Sequence, residues 1–213
     1  MKRILLYITA VLLGATCASG QTIAGLFASM PDSIVPVMSK NNRLDCIDFF
    51  NSKMTSNVQN NYNGKSSIEE MTDTYLLVHP TSLSKAEMKL YAAGDGHKII
   101  AVAYTYTSAA SETVLRFYSD QWKPLDAGSL IAIPSPDELT MQCDTLDASR
   151  QAKAMALLQS AYMCASINKE SGDITFALST SALTTEEQSA ATPCMAGPLK
   201  FAWNGKKFEK QQH

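Results

Sequence analysis

TYLLVHPTSLSKAEMKLYAAGDGHKIIAVAYTYTSAASETVLRFYS, residues 74–119, is the stretch that decides the architecture of this chain. Apolar and polar side chains alternate along it with a period of two, which is typical of β-strands. Short turns separate the runs, and consecutive strands joined by short turns predict an antiparallel meander. The predicted strands are 74–79, which Pro80 ends, 85–92, 98–107 and 113–119. We expect one face of this sheet to pack under helices and the other to meet solvent or a partner.

The segment before the meander has helical spacing. Apolar side chains in residues 23–30 fall on one helical face until Pro31, which disfavours the helical conformation in the residue before it. Asn42 is a candidate N-cap for a second helix that runs from Arg43 to about Thr55. Residues 56–67 are polar and rich in asparagine, which predicts a loop.

The chain after the meander repeats the order of a helix followed by antiparallel strands. A proline-rich stretch, 123–138, is the predicted joint between the two halves. The elements predicted beyond it are a helix from Asp147 or Ser149 to about Gln159, a hairpin of 162–168 and 173–180, a short helical turn capped by Thr184 or Thr185, and a hairpin of 199–203 and 206–210 around Asn204-Gly205. We therefore predict an α+β fold with helices packed on antiparallel sheet, in two meander-like halves that suggest a duplication. The halves are 21–125 and 126–213, and we expect them to form one compact unit.

Composition and net charge exclude two classes of protein, disordered chains and proteins that bind nucleic acid through bulk charge. The chain has 213 residues, of which 46% are hydrophobic and 18% charged, and this balance excludes a disordered chain. The formal net charge is -2, which excludes nucleic-acid binding driven by bulk charge. Gly-x-Ser-x-Gly, P-loop and dinucleotide-binding motifs do not occur in the sequence, so it predicts no cofactor.

Residues 1–20 have the three parts of a secretory signal peptide. Lys2 and Arg3 precede an apolar run, 4–13, that is too short to span a bilayer, and Ala18-Ser19-Gly20 fits a cleavage site. The alternative is a retained N-terminal anchor. Lipid attachment at Cys17 is disfavoured, because neither Leu nor Val leads the triplet before it. We therefore predict export to the periplasm or the medium, with no transmembrane segment after cleavage.

Cleavage after residue 20 would remove two basic side chains. It would leave 16 basic against 20 acidic side chains, a net charge of -4. This charge disfavours nucleic acid and anionic lipid as partners.

Four cysteines would remain after cleavage: Cys46, Cys143, Cys164 and Cys194. They permit two disulfides with three possible pairings, and buried free thiols are the alternative. The long spacings contain no Cys-x-x-Cys, which disfavours a zinc ribbon or a redox motif. The three histidines are scattered, and we predict no metal site.

The best candidates for acid–base chemistry are Asp45 and Asp48, three residues apart on the second predicted helix. Carboxyl groups at this spacing are neighbours, and their like charges can raise one pKa. The simpler interpretation is a pair of solvated aspartates that the helix dipole favours in the first turn.

The best candidates for binding are the aromatic side chains of the first meander: Tyr104, Tyr106, Tyr118 and Trp122. An exposed aromatic face offers rigid contact area for a glycan or a protein. The alternative is that these alternating rings belong to the core.

Several short motifs together resemble an uncharacterised family of exported proteins from Bacteroidetes-type bacteria. They are Met30-Pro31-Asp32, Asn42-Arg43-Leu44-Asp45, Asp48-Phe49, Phe117-Tyr118, Trp122-Lys123-Pro124-Leu125 and Trp203-Asn204-Gly205-Lys206. The resemblance implies export and a shared fold, and it supplies no catalytic residue. The family pattern lacks an even cysteine framework, so the resemblance does not support disulfides.

Taken together, these features predict an exported envelope protein that is a non-enzymatic binding module. Its partner would be another envelope protein or a cell-surface component, bound through a sheet face or edge. One alternative is a small envelope hydrolase or transferase that uses Asp45 and Asp48. Another is a structural or assembly component without a concave site.

Overall fold

The computed structural model describes residues 21–54 and 57–212. The predicted signal peptide and Cys17 lie outside the described residues. The strands are β1 (Val58–Gln59), β2 (Lys65–Met71), β3 (Tyr75–Thr81), β4 (Ser84–Ala92), β5 (Lys98–Thr107), β6 (Ser111–Ser119), β7 (Pro124–Leu125), β8 (Tyr162–Ile167), β9 (Ile174–Ser179), β10 (Leu199–Trp203) and β11 (Phe208–Lys210). The α-helices are α1 (Ile23–Ser29), α2 (Lys40–Asn51), α3 (Ala127–Leu130), α4 (Ala148–Gln159) and α5 (Thr185–Ala191). The α+β fold with helices on antiparallel sheet is confirmed.

Strands β1 to β7 form one antiparallel sheet in chain order, and β3 to β6 are the four strands of the predicted meander. Strand β3 continues through Pro80, which was predicted to end it, to Thr81, and β6 begins two residues earlier than predicted, at Ser111. The register with β4 shifts between Val78 and Thr81, and this irregularity accommodates a proline that cannot donate a ladder hydrogen bond.

Strand β2 occupies residues that were predicted in part as a loop. Its inward side chains are Ser66 and Ile68, and the buried Ser66 hydroxyl donates to the Pro80 carbonyl at 2.7 Å. A serine that satisfies its hydroxyl in this way can occupy a core position. Because a polar residue at a core position breaks the apolar alternation in the sequence, the loop predicted for 56–67 was extended too far, over the first residues of β2.

Helix α2 begins earlier than predicted. Ser39, not Asn42, is the N-cap, and Asn42 completes a capping box by accepting from the Ser39 backbone N–H at 2.9 Å. The helix ends at Asn51, four residues before the predicted Thr55. Helix α1 ends at Ser29, so Met30, which was predicted to belong to the helical face, is the C-cap before Pro31.

The expectation that one face of the large sheet meets solvent is wrong for its central strands. On one face Leu76, Met88 and Ile100 pack with Phe27 of α1 in a first hydrophobic cluster. On the other face Phe117 and its neighbours form a second cluster with the C-terminal half. Burial on both faces explains why β4 is buried from Ala86 to Tyr91 and β5 from Ile99 to Ala103 without interruption.

The C-terminal half supplies a four-stranded antiparallel sheet in the order β11-β10-β9-β8. Helix α4 begins after Asp147, whose side chain accepts from the Arg150 backbone N–H at 2.9 Å. The second hydrophobic cluster contains residues from both sides of the predicted boundary at 125/126. The two sheets differ in strand number, and the suggested duplication stays a prediction. Within the described ranges, no helix is long and apolar enough to cross a membrane.

The turn between β8 and β9 docks directly on the large sheet. The Tyr91 hydroxyl donates to the Gly172 carbonyl at 2.7 Å, and the Lys89 ammonium donates to the Lys169 carbonyl. Gly172 has a φ of +74°, in the left-handed region, and its carbonyl faces β4 in this conformation. These contacts join residues about 80 positions apart and tie the two halves together.

Candidate binding groove

Part of the large sheet lies beyond the helices that cover its first face. Alternation along β5 puts Tyr104 and Tyr106 on that face, and the register with β6 puts Val114 and Arg116 beside them. These four side chains form the floor of a groove with a volume of about 280 Å³. The predicted aromatic pair therefore lies on an open surface of the sheet.

The opposite side of the groove comes from residues far away in the sequence. Ile34, Pro36 and Val37 belong to the irregular segment between α1 and α2, and Tyr62 belongs to the turn between β1 and β2. None of them was predicted as a binding residue. Tyr62 carried one usable signal, since it is an aromatic side chain in an otherwise polar, asparagine-rich stretch.

The exposed rings of the groove are Tyr62, which is 72% exposed, and Tyr106, which is 52% exposed. The Tyr104 ring lies 5.0 Å from the Tyr106 ring at an interplanar angle of 51°. The Tyr104 hydroxyl donates to Ser84 Oγ at 3.1 Å, and burial raises the pKa of Tyr104. Tyr104 is therefore a fixed support, while Tyr62 and Tyr106 offer ring surface to a ligand.

Tyr118 and Trp122 lie deeper than Tyr104 and Tyr106. Tyr118 lines the groove but is only 6% exposed, and its ring contacts Trp122 at a centroid distance of 5.5 Å. Trp122 does not line the groove, and its indole N–H donates to the Leu26 carbonyl at 3.0 Å. Trp122 thus anchors α1 to the sheet and supports the groove from behind.

Arg116 is the one charged side chain among the described residues that line the groove, and it is exposed. Glu112 lies on the same face of β6, opposite Tyr106 in the register. The remaining lining is aromatic or aliphatic, so the groove combines apolar contact area with a single cation.

The buried guanidinium of Arg43 in α2 holds the segment that forms the far side of the groove. Its Nε donates to the Phe27 carbonyl at 2.9 Å, and its Nη1 donates to the Met38 carbonyl and to Asp32 Oδ1, each at 2.8 Å. Its Nη2 donates to the Met30 carbonyl. Arg43 therefore satisfies main-chain carbonyls at both ends of a segment that has no regular secondary structure.

The two aspartates considered for catalysis lie elsewhere. Asp45 and Asp48 are both exposed on α2, and neither lines this groove. Their exposure matches the interpretation as solvated carboxylates at a helix surface. Their predicted place in the first turn is wrong, because α2 begins at Lys40 and has no acidic residue in that turn.

A separate cavity of about 700 Å³ lies where the β4–β5 turn meets the β10–β11 turn. The Gly94 N–H donates to the Gly205 carbonyl at 2.8 Å and joins these turns. His97 and Asp126 contribute to the lining. Across residues 21–54 and 57–212 there is no group of three or more His, Cys, Asp or Glu side chains placed to hold a metal ion.

All four cysteines considered for disulfides are free thiols in the structure. Cys46 belongs to the first hydrophobic cluster, and Cys143 and Cys194 belong to the second. Cys164 lies on β8, where its thiol donates to the Ser111 carbonyl at 3.3 Å.

The fold and the groove together define an α+β protein with an aromatic concave surface on one face of a seven-stranded sheet. The chain belongs to a protein family of unknown function (DUF3256), whose family model matches residues 15–208. This confirms the resemblance to an uncharacterised family, while the export that the resemblance implied stays a prediction.

The chain is also similar to a solved structure, described as a domain of an uncharacterized protein from Porphyromonas gingivalis W83. The two share 19% sequence identity with a TM-score of 0.72, over 90% of this chain and 98% of that one. At this identity the likeness shows a common fold. No curated protein matches the chain.

Proposed function

We propose that this protein is an exported, non-enzymatic envelope protein that binds an exposed segment of another envelope protein in the aromatic groove. The observation that supports this function is the convergence of Tyr62, Tyr104 and Tyr106 around one concave surface beside Arg116. Tyrosine rings and arginine are the side chains that contribute most to protein–protein binding.

The lining favours a protein segment over a glycan. Aliphatic side chains such as Ile34, Val37 and Val114 make up much of the surface, and apolar side chains of a partner would be buried against them. The Tyr104 hydroxyl already donates to Ser84, so it can offer a glycan only its acceptor lone pairs. Arg116 would pair with a carboxylate of the bound segment.

Site-specific photo-crosslinking in the producing cells tests this function. With p-benzoylphenylalanine in place of Tyr106, we expect one adduct of discrete mass that contains peptides of a single partner. The matched control is the same substitution at Tyr162, a tyrosine of β8 that is 46% exposed and outside the groove, and this variant should not give that adduct. In the Tyr106 variant, Arg116→Glu should lower the yield about tenfold, which corresponds to about 1.4 kcal/mol of binding free energy.

The exposed Lys123→Glu variant serves as the matched charge reversal outside the groove and should leave the yield unchanged. If positions 106 and 162 gave the same adducts, the groove would not select a partner over the rest of the surface, and the proposed function would be contradicted. An adduct that resists proteases and contains sugar would show that the ligand of the groove is a glycan and would contradict the protein partner.

Export has its own test. If residues 1–20 are a cleaved signal peptide, the protein from the envelope or the medium should begin at Gln21. N-terminal sequencing and intact mass measure this directly. Recovery of a chain that begins at Met1 from the cytosol, or of an acylated chain that begins at Cys17, would contradict cleavage after Gly20.

A further inference from the structure

Two segments that carry cysteines are joined by the backbone in the second hydrophobic cluster. Thr140 and Met195 form an isolated antiparallel bridge. The Met141 N–H donates to the Cys194 carbonyl at 2.9 Å, and the Ala196 N–H donates to the Leu139 carbonyl at 2.9 Å. These hydrogen bonds hold the chain that leads to Cys143 against the short 3-10 helix that ends at Cys194.

The two thiols meet at the end of this bridge. Both side chains belong to the second hydrophobic cluster, and burial together with the neighbouring Cys143 raises the pKa of the Cys194 thiol. Cys194 is fully buried and Cys143 is 7% exposed. The Leu146 N–H donates to the Cys143 carbonyl at 3.1 Å, so Cys143 begins a hydrogen-bonded turn, while Cys194 belongs to the 3-10 helix.

We propose that Cys143 and Cys194 are a disulfide-forming pair and that Cys46 and Cys164 remain thiols. This assigns one pairing among the three that four cysteines allow. The bond would close a loop of about 50 residues that contains α4, the β8–β9 hairpin and α5.

The other two cysteines have separate surroundings. Cys46 lies on the opposite face of the large sheet, where its thiol donates to the Ser66 carbonyl at 3.8 Å. Cys164 points to the Ser111 carbonyl at the edge of β6. Neither has a second cysteine as a side-chain partner among the contacts of the described residues. Linking them would require movement of strands or of α2.

Cys143 is the thiol that would react first. It is the more exposed of the pair, and Thr145 Oγ1 lies 2.9 Å from its sulfur. Hydrogen bonds from the Thr145 side chain and backbone lower the pKa of Cys143 and so favour its thiolate.

The reaction is a thiol–disulfide exchange with a small disulfide as the oxidant. The Cys143 thiolate attacks one oxidant sulfur, the oxidant S–S bond breaks, and one small thiolate leaves. Cys194 then loses its proton and attacks Cys143 Sγ, which releases the second small thiolate. Both take up a proton, so two protein thiols and one small disulfide become one protein disulfide and two small thiols.

Oxidised glutathione added to the purified, folded protein tests the assignment. After alkylation and peptide mapping, we expect the peptides that contain Cys143 and Cys194 to be linked, with Cys46 and Cys164 alkylated. The oxidised protein should unfold about 5–10 °C higher than the reduced protein, because the unfolded chain is constrained. A link that involves Cys46 or Cys164, or full alkylation of Cys143 and Cys194 in the folded protein, would overturn the assignment.

Two serine variants separate the roles of the pair. Cys194→Ser should accumulate a glutathione mixed disulfide on Cys143, because the second attack has no thiol. Cys143→Ser should leave the buried Cys194 unreacted. Cys164→Ser is the matched control and should form the same link as the parent protein. If either serine variant fails to fold, the peptide map of the parent protein still decides the pairing.

Discussion

Arg43→Met is expected to lower the free energy of unfolding by about 3–5 kcal/mol. Methionine preserves most of the apolar stem but removes every donor of the guanidinium. The carbonyls of Phe27, Met30 and Met38 would then lie beside a buried thioether without their hydrogen bonds. Urea denaturation monitored by circular dichroism measures the change.

The same substitution should also weaken the binding groove. Ile34 and Val37 lie within the segment whose ends Arg43 holds, so loss of the guanidinium would loosen one side of the groove. We expect the crosslink at position 106 to disappear in Arg43→Met even at temperatures where the variant remains folded.

Two control variants show which part of the Arg43 contacts matters. Arg150→Met removes an arginine whose side chain is 77% exposed, and it should change stability by less than about 1 kcal/mol. Asp32→Asn removes the charge of a carboxylate that is 58% exposed, and we expect a similarly small loss. An Arg43→Met protein as stable as these controls would show that the carbonyl contacts contribute little.

Gly172→Ala is expected to cost about 2–3 kcal/mol of stability. The added Cβ would lie 3.0 Å from Tyr91 Cε1, and the φ of +74° strains any residue with a side chain. Tyr91 cannot move away easily, because it is buried and its hydroxyl donates to the Gly172 carbonyl. Thermal or urea unfolding gives the magnitude.

Gly96→Ala is the matched control for the backbone contribution. Gly96 has a φ of +86° in the β4–β5 turn, and a Cβ there would meet no atom within 4 Å. Its cost should be about 1–2 kcal/mol from the backbone alone. An equal loss of stability in the two variants would mean that the turn between β8 and β9 can shift away from Tyr91 at no cost. It would contradict a role of this turn in holding the two halves together.

The meander was predictable because its signal is local. Side chains two positions apart in a strand share a face, so the placement of Tyr104 with Tyr106 followed directly from the sequence. The β5–β6 register then brought Tyr118 to that face, as the alternation in each strand required. Strand β2 was partly missed because Ser66 occupies a core position through a hydrogen bond to Pro80, which no hydropathy pattern can reveal.

The role of Arg43 was hidden for a related reason. Its motif, Asn42-Arg43-Leu44-Asp45, was part of the family resemblance, and interest centred on Asp45 as an acidic group. In the fold Asp45 is exposed, while Arg43 is 1% exposed and linked to Met30 and Asp32 of the other motif. The motifs Met30-Pro31-Asp32 and Asn42-Arg43-Leu44-Asp45 thus contact each other in the fold through the buried Arg43 guanidinium.

Periodicity, turn residues and capping side chains were enough to determine the α+β class, the antiparallel meander and the bounds of elements such as β5, β10 and α4, since these depend on neighbours within a few positions. The sequence alone also put the tyrosines of β5 on one face. Only the tertiary structure decided that this face is concave, because Pro36 and Tyr62 reach it from distant turns. It alone joined the segment before Cys143 to the segment of Cys194, since contacts between distant segments depend on how the layers pack and leave no periodic trace in the sequence.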